Sequence, residues 1–124
     1  MAYSFRITEE YCAAALALEQ AGYVWQPRPG DWMLDRDDAS IGMLTLPVRD
    51  GEQIRRLNTH IPTYVQVNAM LLEHGVNETS AGEFHARGRV VAKFSPDEIA
   101  ADEGLCRLRA LVAAMQPKAQ SPRG

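Results

Sequence analysis

Two groups of residues carry the side chains best suited to chemistry. His85, Arg87, Arg89 and Lys93 share odd positions, a spacing that puts all four on one face of an extended strand. Asp31, Asp35, Asp37 and Asp38 crowd a single short stretch. On neighbouring strands Asp31 and Asp35 would face the cationic row and form cross-strand charge pairs, each contributing about 0.2–1 kcal/mol. Left unpaired, Arg87 and Arg89 would instead offer their planar forks to a phosphate or carboxylate, a small anionic ligand. His85 beside Asp31 or Asp35 is the one arrangement that would make a carboxylate-oriented base.

Other chemistry has less support. Acids at the density of Asp31 to Asp38 can hold Mg²⁺ or Ca²⁺ through oxygen. Their spacing departs from the EF-hand loop, however, and Asp37 and Asp38 suit a turn, so no metal site is expected. His60, His74 and His85 do not fall at a ligand spacing such as His-x-x-x-His. His74 beside Gly75 suits a helix C-terminus, and His60 reads as a loop residue between two helices. Cys12 and Cys106 form no Cys-x-x-Cys pair and sit among apolar neighbours, as free thiols of a reducing cytoplasm do. The chain contains no Gly-x-Ser-x-Gly, Gly-x-Gly-x-x-Gly or Walker sequence, so neither a nucleophile elbow nor a common nucleotide cradle is signalled, and no cofactor is expected.

Trp25-Gln26-Pro27-Arg28-Pro29-Gly30-Asp31-Trp32 places two indoles around a Pro-Arg-Pro segment. Buried, it is a corner packed on the core. Exposed, it is a recognition surface in which Arg28 is the natural contact, since Trp and Arg are enriched at interface hot spots.

The element that must position these groups is Glu83 to Phe94. Its even positions, Phe84, Ala86, Gly88, Val90, Ala92 and Phe94, are apolar or small, while the odd ones are polar except Val91. Period-two alternation predicts a strand with one face on a core. Arg87-Gly88 would suit a hairpin turn, and a bulge there would swap the faces beyond it. The apolar phase passes Gly88 unbroken, so one long strand is expected, with Gly88 facing the core and the ring of Trp25 or Trp32 over the gap.

Around it, Thr8 caps a helix to Gly22 with Tyr11, Ala15 and Leu18 buried. Tyr23 to Gln26 suits a brief strand, and Asp31–Asp35 with Ile41–Val48 suits a hairpin. Asp50 begins a short helix, 51–57, that Asn58-Thr59-His60 breaks. Pro62 opens another helix to Glu73, and 76–82 reads as a loop. Ser95-Pro96-Asp97-Glu98 is a capping box before a stripe of Ile99, Leu105, Leu108, Val112 and Met115, with a break at Asp102 to Gly104.

The chain has 124 residues, 46% of them hydrophobic and 23% charged, an ordinary globular composition. Its formal charge is −3, with the acidic excess in the first fifty residues, so no strong cationic field for nucleic acid exists. No apolar run reaches the roughly 20 residues that span a bilayer, and the N-terminus lacks a secretory pattern. The expected fold is α+β: a small antiparallel sheet of three or four strands with helices on one face, in the order α-β-β-α-α-β-α. Residues 1–116 form the domain, and 117–124 form a tail with nothing to bury.

These features point to a small, non-catalytic cytoplasmic protein acting by contact with another protein, as a homodimer through Trp25, Trp32, Met43 and Val91. The alternative is a small-ligand protein or hydrolase with an anion pocket built from His85, Arg87, Arg89, Asp31, Asp35 and Arg28. Single-stranded nucleic acid, held by Arg87, Arg89 and an exposed Trp, is disfavoured by net charge.

Overall fold

Each helix starts where the chain supplies a side-chain acceptor for its first free amides. In the computed structural model, which describes residues 6–116, Thr8 accepts from the Tyr11 amide to open α1 (Glu9–Gln20). Asp50 opens α2 (Gly51–Leu57). Ser95 and Glu98 cap α4 (Pro96–Ala101) reciprocally, and Asp102 caps α5 (Glu103–Met115), so the expected break falls there. The third helix, α3 (Tyr64–Glu73), starts two residues later than proline statistics suggest. Thr63 and Gln66 form a full capping box that leaves Pro62 outside. The tail expected at 117–124, like the first five residues, lies outside the described residues.

The strands are β1 (Trp32–Asp35), β2 (Ile41–Met43), β3 (Asn58–Ile61), β4 (Asn77–Ser80), β5 (Glu83–Ala86) and β6 (Arg89–Lys93). The α+β class and antiparallel pairing are as expected. Among the described residues the strands divide into two three-stranded sheets, β2-β1-β3 and β4-β5-β6. Two stretches read as irregular supply the extra strands. Asn58-Thr59-His60 ends α2 by turning straight into β3, with Thr59 and Ile61 opposite Leu34 and Trp32 on one face. Residues 77–80 are exposed throughout, and β4 exists because β5 offers it an edge. Conversely, the second hairpin arm stops at Met43, and Tyr23 to Gln26 pairs with no strand.

The expected long strand from Glu83 to Phe94 is two strands. Arg87 (φ 54°) and Gly88 (φ 75°) are both left-handed, the signature of a two-residue type I′ turn. Gly88 therefore does not face the core, and no tryptophan covers it; a Cβ there would meet nothing within 4 Å. Two parity changes hid the turn. Ala86 pairs with Arg89, an even residue with an odd one, across the tight loop. A register shift near Val91 then restores Phe84 opposite Ala92. The apolar phase is continuous because the turn and the bulge cancel.

The core is one cluster in which Leu105, Leu108, Leu111 and Val112 of α5 are joined with Tyr11, Ala15 and Leu18 of α1, Val67 and Leu71 of α3, Ile61 of β3, and Phe84 and Ala86 of β5. Each large side chain so buried contributes about 1.5–3 kcal/mol. The exposed Lys93–Glu83 pair adds far less, so Phe84 rather than surface charge holds the β5–β6 hairpin. Cys106 is buried and Cys12 half-buried, both free thiols. No described helix is long and apolar enough to cross a membrane.

Gly82 (φ 84°) shows where glycine is required: a Cβ there would strike the Phe94 carbonyl, whose own amide donates to the Gly82 carbonyl at 2.8 Å. Gly88 carries only the left-handed penalty, about 1–2 kcal/mol. Gly82→Ala should therefore lower the urea midpoint clearly more than Gly88→Ala, and equal losses would place Gly82 outside such a contact.

Candidate functional site

Leaving α1 at Gly22, the chain crosses to β1 through Tyr23 to Gly30 without joining a sheet. It needs other anchors. The Tyr23 amide donates to the Leu18 carbonyl at 3.2 Å, and the Arg55 guanidinium donates to the Trp25 carbonyl at 3.2 Å. The third anchor is a carboxylate. Asp31 Oδ2 accepts from Trp25 Nε1 at 2.9 Å and from the Arg28 amide at 3.1 Å, while Oδ1 accepts from Gln66 Nε2 at 3.0 Å.

Period two on β3 aims the next group. With Thr59 and Ile61 turned to one face, His60 points to the other. Its ring lies flat on Trp25, centroids 5.0 Å apart and planes within 6°, and 5.8 Å from the Tyr23 ring. The Tyr23 hydroxyl meets His60 Nδ1 at 2.9 Å. Nε2 lies 4.0 Å from Asp31 Oδ1 and has no hydrogen-bond partner among the described residues. Asp31 and His60 are 7% and 6% exposed.

Protonation follows from this packing. Burial, with the Asp31 charge behind it, pushes the Tyr23 phenol up to about 12, so Tyr23 keeps its proton while sharing a hydrogen bond with Nδ1. Burial also holds His60 below its ordinary value, with Arg28 acting in the same direction, despite the opposing pull of Asp31 and Gln66. The imidazole is therefore neutral. Burial alone would raise Asp31, but the Trp25 and Gln66 hydrogen bonds, the facing imidazole and the Arg28 amide outweigh it and keep it ionised.

One side of this group opens on a cavity of about 420 Å³, walled by Tyr23, Trp25, Asp31, His60, Gln66 and Met70, with Arg28 and Glu73 at its rim. Behind Tyr23 and Trp25 lies a smaller hollow of about 250 Å³ against Glu19 and Arg55. The chemistry on offer is stacking, hydrogen bonding and charge. Tyr23 is too strongly held in its protonated form to serve as a nucleophile, and His60 Nε2 is covered. No group of three or more His, Cys, Asp or Glu among the described residues is arranged to hold a metal.

The sequence candidates scatter. Arg28, Asp31 and Trp25 meet at the cavity. Asp31, expected on an outward strand face, instead precedes β1 and is buried beneath Trp25 and Gln66. Asp35 ends β1, where its carboxylate accepts the Asp37 amide of the turn at 2.8 Å. His85 pairs with Glu83 of its own strand at 3.0 Å, and Arg87 and Arg89 sit at the hairpin tip of the other sheet. The cationic row does not face Asp31 or Asp35, because among the described residues β1 pairs only with β2 and β3. Trp32 and Val91 are half-buried against the core and Met43 is exposed. His60, Tyr23 and Gln66 belong to the site without any motif that marks them. What local signal there is comes from Tyr23 and Trp25 at alternate positions and Thr59 and Ile61 flanking His60.

Neither a known family, a curated protein nor a solved structure matches the chain.

A folded-state His60 held below 6.5 resists a proton that the unfolded chain accepts. The stability this contributes is complete above about pH 6.5 and is lost as pH falls toward the folded value. Asp31, held below 3.8, gives up its own contribution only at lower pH. Between about pH 8 and pH 5.5 the native protein should thus lose unfolding free energy that His60→Gln does not. Parallel losses in both proteins would contradict a buried neutral imidazole.

Proposed function

We propose that the protein is a cytoplasmic binding protein, without catalysis, that holds a small organic molecule in the cavity between the Tyr23–Gly30 connector and α3. One observation carries the reading. Two buried, wired polar groups, Asp31 and His60, converge with Tyr23 and Trp25 on a single hollow of about 420 Å³. Small-molecule sites run from about 300 to 1,000 Å³ and combine ring and apolar walls with a few placed polar groups. A screen of neutral and charged fragments by amide NMR tests it. Binders should shift amides of 23–31 and 66–73 together with the Trp25 indole signal, and Trp25→Phe should weaken them. A screen with no binders, or with shifts confined elsewhere, overturns the reading.

Contact with a second copy is the second reading, favoured by β2. That strand is a sheet edge with an unpaired outer side, and Ile41 and Met43 beside it are 44% and 42% exposed. Open edges of this kind template strand pairing. Sedimentation at tens of micromolar should then show a dimer that Ile41→Lys dissolves, and a monomer throughout removes this reading.

A further inference from the structure

Of the charged side chains that line the cavity, Asp31 takes three donors. In the neighbouring hollow Arg55 holds the Trp25 carbonyl, and Glu19 accepts from Thr59 and pairs with Arg36. Arg28 and Glu73 are not tied in this way. They line the same cavity with opposite charge, and neither side chain is in a hydrogen bond or ion pair with the other or with any other described residue. Both still act on one point: Arg28 pulls the Tyr23 hydroxyl down in pKa and Glu73 pushes it up. The cavity therefore carries a cation and an anion at its rim and rings at its wall. Beside them, Val24 and Gln26 make no backbone hydrogen bond with any described residue.

We propose that the cavity recognises a zwitterion, a free α-amino acid with an apolar or aromatic side chain, through Arg28 and Glu73. This rests on the small-ligand reading of the same cavity. The ligand carboxylate lies on the Arg28 fork, which matches it in two parallel hydrogen bonds. Its ammonium lies on Glu73, and its side chain enters among Trp25, Tyr23 and Met70. A ligand with only one of the two charges leaves one rim group without a partner, so discrimination comes from carrying both.

The test titrates the isotopically labelled full chain with L-phenylalanine and L-leucine, then with N-acetyl-L-phenylalanine, which lacks the ammonium, and phenethylamine, which lacks the carboxylate. Both amino acids should shift the cavity amides. Each truncated probe should bind about tenfold or more weakly than phenylalanine, the scale of one charge-assisted hydrogen bond. In Arg28→Gln, phenylalanine and phenethylamine should bind alike; in Glu73→Gln, phenylalanine and N-acetylphenylalanine should. Both positions are exposed, and an unchanged thermal transition confirms that each variant is folded. Truncated probes matching phenylalanine in the native protein overturn the zwitterion while the cavity reading stands. So do amino acids that fail where neutral fragments still bind. Silence from every probe, neutral fragments included, overturns both.

Discussion

A buried carboxylate is tolerated only with donors around it, and the structure gathers the three of Asp31 from two places. Trp25 and the Arg28 amide belong to the connector after α1, and Gln66 belongs to the first turn of α3. Hydrogen bonds to a charged group contribute about 1.5–3 kcal/mol each, more than the cross-strand pairs this connector lacks. Asp31 thus substitutes for a ladder. It fixes the Trp25 indole by its nitrogen, the indole plane fixes the stacked imidazole, and the imidazole fixes the Tyr23 hydroxyl.

The opposite side of the site is held by the core. Thr59 donates to Glu19 Oε1 at 2.8 Å, joining β3 to α1. Arg36 donates to the carbonyls of Arg55, Arg56 and Asn58, closing the C-terminal end of α2 just where β3 begins. Ile61 is fully buried and the Tyr11 hydroxyl donates to the neighbouring Pro62 carbonyl at 2.7 Å. His60 is therefore carried on a strand with little freedom, whereas Arg28 and Glu73 stand on the exposed rim.

How legible each part was depends on the range of the interaction that makes it. Helix starts at Thr8, Asp50 and Ser95 could be read because a cap bonds within three residues. The core of α1 and α5 could be read because apolar spacing at three and four survives any tertiary context. Strand β3 could not, since Asn58-Thr59-His60 takes its pairing from β1, far back in the chain; β4 could not, since Asn77 to Ser80 is exposed throughout and carries no period-two apolar pattern although its partner β5 follows directly. The β5–β6 hairpin was misread for a different reason: period two cannot separate a straight strand from a tight turn followed by a compensating bulge. The sequence sets Asp31 opposite the cationic row, whereas beside the local Trp25 and Arg28 its neighbours in the structure are Gln66 and His60, far along the chain and joined to it by no local pattern.

His60 and Asp31 then make a compromise that places the least satisfied polar group of the site on the cavity wall. Closing the 4.0 Å gap from Nε2 to Oδ1 would draw the imidazole off the Trp25 plane or pull Oδ1 from Gln66. A buried unsatisfied polar atom costs about 1–3 kcal/mol. The stack returns about 0.5–1.5 kcal/mol beyond its buried area if it behaves as an aromatic pair, and the Gln66 bond is charge-assisted. Keeping both and leaving Nε2 underused is the cheaper arrangement. The group that gives way is then one whose burial lowers its affinity for a proton, so the same geometry that shapes the cavity keeps that part of its wall uncharged.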